Sequence, residues 1–217
     1  MTRLKVRYIY SLHRINRLKR KLGHQSLVKD GEILHRDVSI NNIMITDKQC
    51  EGKPKGFLID LDLAKVIGSE GSGSVHRTGT MEFMAINVLL RIEPHSYRHD
   101  LESFFYVLIW ICVFYELTGY PHYILDANNK QRLPDVLSGW SRADAAGVKH
   151  LQMFHEKAFQ RILDEFSDGF KELESMVREV RHALFPLRQG VGSEPEYDQL
   201  YDLFLRAIQR QLDKMSK

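Results

Sequence analysis

Between Glu102 and Glu116 lies the run that limits the fold most, Phe104 to Tyr115 (FFYVLIWICVFY), twelve apolar residues in succession. A membrane span needs roughly 18 or more, so this run is too short to cross a bilayer. A helix that is apolar on every side has to be buried in protein. The remaining chain can supply that cover: at 217 residues with 43% hydrophobic and 27% charged side chains, it has ordinary globular proportions and is too apolar for a disordered tail. One large domain over 1–217 is expected, with no internal repeat and no linker.

Charge and cysteine usage exclude several classes of function. The net charge of +3 exerts no strong pull on nucleic acid. Cys50 and Cys112 stand far apart, which rules out a disulfide framework and a cysteine-based zinc site. A reducing, intracellular setting follows, cytoplasmic or nuclear. The N-terminus spreads basic residues through a helical pattern and has no compact apolar signal core; no membrane attachment is expected.

Leu4, Tyr8, Leu12, Ile15, Leu18 and Leu22 recur at helical spacing, and Gly23 then offers a C-terminal cap. The opposite face carries Arg3, Lys5, Arg7, Arg14, Arg17, Lys19, Arg20 and Lys21, either as a solvated surface or as a binding face for nucleic acid or an acidic partner. From Gly31 to Leu63 two short strands are expected, Asn42 to Thr46 and Phe57 to Ile59, separated by the turn Glu51-Gly52-Lys53-Pro54. The stretch 68–74 (GSEGSGS) reads as a mobile surface segment. Helices are expected over 83–91, 99–118, 148–184 with a break near Asp168-Gly169, and 197–215; 119–147 reads as irregular. The stripe over 148–184 is set by Leu151, Phe154, Ala158, Ile162, Phe166, Phe170, Leu173, Val177, Val180 and Leu184.

The chemistry concentrates in Ile33 to Ile45. His35-Arg36-Asp37 is followed five positions after the aspartate by Asn42, the catalytic-loop signature of protein kinases. An apolar run, Gly56 to Ile59, then delivers Asp60 at a strand end. Phosphoryl transfer needs a carboxylate to orient a hydroxyl and oxygen ligands to fix metal on phosphates. Asp37, Asn42 and Asp60 are that set. Two further stretches keep the order: Arg77-Thr78-Gly79-Thr80-Met81-Glu82-Phe83-Met84-Ala85, and His99-Asp100-Leu101-Glu102-Ser103 at the head of the apolar run.

Together these stretches resemble the fungal-type protein kinase family, including its peculiar His-Arg-Asp-Val-Ser, Ile-Asp-Leu-Asp-Leu-Ala and His-Asp-Leu-Glu-Ser wording. The resemblance implies a mainly α-helical, protein-kinase-like C-lobe with a small β-hairpin carrying the catalytic and metal-binding loops. It implies Asp37 as the hydroxyl-orienting acid, and Asn42 and Asp60 as ligands for Mg2+ bound with ATP. It implies Thr80 as the residue that bonds Asp37 and marks Ser/Thr preference, His35 as structural support, and Asp100 as the cap of the catalytic loop's backbone. Residues 60–87 correspond to the activation segment. Arg36 is placed to pair with a phosphorylated Ser69, Ser72, Ser74 or Thr78. A protein substrate or docking partner is implied; nucleic acid is not.

Several positions depart from that pattern. Ser39 stands where many Ser/Thr kinases place a phosphate-contacting lysine, Asp60-Leu61-Asp62 replaces Asp-Phe-Gly, and Ile86-Asn87 replaces Pro-Glu, so the expected buried Glu–Arg pair cannot form. An N-lobe would need roughly 60 more residues ahead of His35, and no Gly-rich phosphate loop or Val-Ala-Ile-Lys strand is present. The expectation is a fungal-type Ser/Thr kinase C-lobe of low activity by itself. The alternative is an N-lobe-less pseudokinase serving as a protein-binding scaffold. A small-molecule phosphotransferase is disfavoured because Arg77 to Met84 looks like a peptide-positioning segment.

Overall fold

The computed structural model describes residues 2–3, 23–45, 56–69, 79–186 and 197–215. Its organising element is α3 (Tyr97–Phe114), which contains most of the apolar run. Ser96 and His99 form a capping box at its start, with the Ser96 amide donating to His99 Nδ1 at 2.8 Å. Leu101, Phe105, Ile109 and Cys112 are fully buried. α5 (Glu156–Asp164), α6 (Glu174–Leu184) and α7 (Tyr197–Met215) turn Phe159, Ile162, Val177, Val180, Leu200 and Phe204 into the same core. Trp140, on a 3-10 turn (Ser138–Ser141), meets Tyr106 of α3 edge to face at 4.9 Å.

Short strand pairs hold the functional loops on this helical body. β3 (Ile43–Ile45) pairs antiparallel with β4 (Gly56–Leu58), Ile43 opposite Leu58, and β1 (Thr2–Arg3) joins the other edge of β3. β2 (Ile33–Leu34) pairs with β5 (Lys65–Val66). The chain is thus mainly helical, with seven α-helices among the described residues and only small strand pairs. None of the described helices is long and apolar enough to cross a membrane.

Local chemistry moves several boundaries. The expected basic helix 4–22, the turn 51–54 and most of 68–74 lie outside the described residues. Gly23 opens a helix instead of closing one: α1 (Gly23–Lys29) buries His24, Gln25 and Val28. Its end is at Gly31, whose amide returns to Ser26 O and where a Cβ would come within 2.8 Å of Leu27 O. The helix expected over 83–91 shrinks to α2 (Ile86–Leu90), closed by Arg91 in the left-handed region. α3 stops at Phe114, four residues early, because Gly119 (φ +88°) and Pro121 fold the chain back so that Tyr115 bridges Pro121. The expected long helix is α4 (Ala145–Phe154), α5 and α6 in series, interrupted at His155 and by a 3-10 turn (Asp168–Leu173). A Cβ on Gly169 would lie 2.4 Å from Leu117 Cγ, so the break occurs where backbone packs directly on a side chain. Residues 119–147 include a hairpin of β6 (Ile124–Leu125) and β7 (Gln131–Arg132).

Candidate functional site

The segment His35 to Asn42 leaves β2 and enters β3, and its first turn is fixed from below by α3. Arg36 sits in the left-handed region (φ +68°), a conformation that costs free energy in a non-glycine residue. Asp100 holds it there. Asp100 Oδ2 accepts from the His35 amide at 2.9 Å and Oδ1 from the Arg36 amide at 3.0 Å. The same two oxygens also accept from His24 Nε2 at 3.0 Å and His95 Nε2 at 2.8 Å. Complete burial by itself raises the pKa of Asp100, yet the hydrogen bonds from His24 and His95 hold the carboxyl well below the usual carboxylate range.

Asp37 comes next and is clamped on both oxygens. Asn42 Nδ2 donates to Asp37 Oδ2 and to the Asp37 carbonyl, both at 2.9 Å. Thr80 donates to Asp37 Oδ1 twice, from its amide at 2.8 Å and its hydroxyl at 3.0 Å. Thr80 can come so close because its neighbour Gly79 (φ +116°) has no side chain: a Cβ there would be 2.9 Å from Arg36 O. His35, fully buried, accepts from the Asp37 amide at Nδ1 (3.3 Å), so Nε2 carries the proton and donates to Ile59 O at 3.1 Å. The Ile59 amide in turn donates to Asn42 O at 2.9 Å, which sets Asp60 beside the Asn42 end of the hairpin.

Asp60 is exposed, in the left-handed region (φ +68°), with Asp62 N donating weakly to its Oδ1 at 3.4 Å. Ser39 is buried, and its carbonyl accepts the Asn42 amide at 3.1 Å. The Arg36 guanidinium donates through Nη1 to Leu63 O at 3.3 Å. Exposed Ser69 donates to Val66 O at 2.7 Å; Ser72, Ser74 and Thr78 lie outside the described residues. Asp37, Asn42, Thr80, His35, Arg36 and Asp100 are therefore one bonded cluster, with Asp60 at its rim.

Four groups that the sequence reasoning passed over support this cluster. His24 and His95 brace Asp100. Fully buried Lys149 of α4 donates from Nζ to Met84 O at 2.7 Å and Met81 O at 3.2 Å, beneath the segment that carries Thr80. Burial pushes its ammonium down to about 7, against the opposing pull of Glu102 and Glu82. Glu102 Oε1 accepts from the Ile86 amide at 2.8 Å and from the Tyr106 hydroxyl at 2.6 Å. Asn87, where the departure from Pro-Glu falls, donates to Glu93 Oε1 at 2.7 Å, which also takes His99 Nε2 at 2.8 Å. Lys149 shares a helix face with buried Ala145 and Met153, four residues to either side, a placement that hydropathy alone does not give a lysine.

Residues 22–112 match the model of the fungal protein kinase family. The matched stretch takes in Asp37, Asn42, Asp60, Thr80 and Asp100, so the similarity to that family covers the segment that builds this cluster. No curated protein matches the chain.

Proposed function

We propose that the chain provides the phosphoryl-transfer chemistry of a Ser/Thr protein kinase, moving the γ-phosphate of ATP to a protein hydroxyl. The observation that carries the reading is Asp37, a carboxylate held on both oxygens by Asn42 and Thr80 while its loop is locked to Asp100. The acceptor oxygen forms a bond to the γ-phosphorus as the bond to the ADP oxygen breaks, and Asp37 orients the hydroxyl and takes up its proton. Such catalysis is mostly positioning and charge stabilisation, and a carboxylate with its rotamer fixed suits that task. Residues 60–87 act as the activation segment of a single C-lobe unit, and Arg36 pairs with a phosphorylated residue within 69–78.

The donor chemistry fits Mg2+. Nδ2 of Asn42 is committed to Asp37, leaving the amide oxygen Oδ1 as the atom of that side chain suited to a cation, and exposed Asp60 adds a carboxylate. Among the described residues no group of three or more His, Cys, Asp or Glu side chains is placed to hold a metal. One amide and one carboxylate suit an ion that draws its other ligands from phosphate and water, as Mg2+ does. When bound, Mg2+ neutralises charge on the transferring phosphates.

A phosphotransfer assay on a generic protein substrate with Mg2+ and ATP tests the reading, and Asp37→Asn is expected to abolish labelling. A melting temperature unmoved by millimolar Mg2+ and ATP would refute nucleotide binding by this chain and leave the scaffold reading in its place.

A further inference from the structure

We propose that His24 and Tyr201 are positioning residues for the catalytic loop, through a relay that runs from α7 to Asp100. The proposal rests on the phosphotransfer reading of Asp37. The Tyr201 hydroxyl lies 2.6 Å from His24 Nδ1, and His24 Nε2 lies 3.0 Å from Asp100 Oδ2. One neutral tautomer serves both contacts: the phenol donates to Nδ1, and the Nε2 proton is donated to the carboxylate. That carboxylate oxygen is shared with the His35 amide at 2.9 Å, two residues ahead of Asp37. The direction in which His24 points therefore sets the direction of an acceptor on which the loop itself hangs.

Burial makes the relay energetically significant. Tyr201 and Asp100 are 0% exposed and His24 2%, so water does not compete for any of the three groups and a lost partner is not replaced. The imidazole is also held laterally, with the Phe104 ring edge-on at 5.4 Å, while Tyr97 stacks on Tyr201 at 5.8 Å. His95 braces the other oxygen, Oδ1, together with the Arg36 amide. Of the two histidines, His24 carries the contact onward to a helix distant in sequence. Tyr201 lies well past Cys112, where the family match ends; α7 thus reaches the loop from outside the matched segment.

Tyr201→Phe keeps the ring and its stacking and deletes the hydroxyl alone. Amide hydrogen exchange on the full chain is the direct readout. The His35 and Arg36 amides are expected to exchange about five- to tenfold faster, the consequence of one lost hydrogen bond, while Phe105 and Ile109 in α3 keep their rates. His24→Leu is expected to do the same more strongly. His24→Gln, whose amide can donate to Asp100, is expected to restore slow exchange. In phosphotransfer, Tyr201→Phe lowers kcat and leaves KM for ATP unchanged. Unaltered His35 and Arg36 exchange in both Tyr201→Phe and His24→Leu overturns the relay, and so does a uniform acceleration of all core amides. If the wild-type chain transfers no phosphate, the exchange result still decides the relay and only the reading of Asp37 falls.

Discussion

Lys149→Met separates the electrostatics of the buried amine from its packing. Methionine has a similar reach and no charge, so the variant loses the two bonds to Met81 O and Met84 O while the Tyr106 and Trp140 rings, 4.3 and 5.3 Å from Nζ, keep an apolar neighbour. In the fold the amine gives up its proton at about 7; in the unfolded chain it does so near 10.5. Between those values the unfolded chain binds more protons, so wild-type stability rises with pH, at up to about 1.4 kcal/mol per pH unit. The cost of the buried ammonium is fully present below the lower value and relieved above it. A neutral amine has two N–H groups, matching the two carbonyls it faces. Tyr106 does not interfere, because burial raises its phenol well above 10.0. Losing both bonds costs about 1–3 kcal/mol, so Lys149→Met is expected to be less stable than wild type at about pH 9. That deficit should shrink by about 2 kcal/mol at about pH 7. Urea denaturation of both proteins at the two pH values measures it. A deficit equal at both would mean that the amine stays charged throughout, and the desolvation argument fails.

Gly79→Ala should lower stability by about 1–3 kcal/mol, since its φ is unfavourable for a side chain and its Cβ meets Arg36 O; turnover should fall with it, because Thr80 moves off Asp37. Denaturation and a phosphotransfer assay check both effects. Asp100→Asn turns an amide NH2 toward donors and should cost about 3 kcal/mol at neutral pH. Because the pKa of Asp100 is depressed in the fold, its stabilisation is present above 3.8 and lost as pH falls through the lower folded value. The difference in thermal unfolding between Asp100→Asn and wild type should therefore narrow in strong acid.

What could be read from the sequence followed from how local each signal is. The apolar run had to be a buried helix, and Tyr197–Met215 falls where periodicity alone placed it. Strands β3 and β4 came out within a residue or two, since β-branched runs flanked by turn residues are a local cue. β2 and β5 were not foreseen: two-residue strands carry no periodicity, and only their pairing defines them. The stripe over 148–184 failed at its start, where Leu151 is 53% exposed while Lys149 and Met153 are fully buried. Hydropathy puts a lysine outside, and only tertiary carbonyls that accept its protons reverse that. The residues of the bonded cluster were legible because His35 to Asn42 are contiguous and Asp60, Thr80 and Asp100 each stand in a recognisable phrase. His24, His95 and Tyr201 stand in none; their role depends on contacts across as many as 177 positions.

The replacement of Pro-Glu by Ile86-Asn87 changes how the segment bearing Thr80 is anchored without leaving it loose. An ion pair there would need a buried arginine, and the buried arginine of α6 is committed elsewhere. Arg181, 2% exposed, donates to Met153 O at 2.7 Å and Glu156 Oε2 at 2.6 Å, with its guanidinium 4.4 Å from the centre of the Phe159 ring. The segment is held by backbone groups instead: the carbonyls of Met81 and Met84 on Lys149, the amide of Ile86 on Glu102. Asn87 still contributes, but sideways to Glu93 and so to His99 in the capping box of α3. Backbone anchors do not depend on the identity of the side chain at 86 or 87, so the substitution that removes the Glu–Arg pair is tolerated here as long as Lys149 and Glu102 remain. The helix that supplies Glu102 also supplies Asp100, which anchors the His35–Asn42 loop and the segment bearing Thr80 within a single turn of α3.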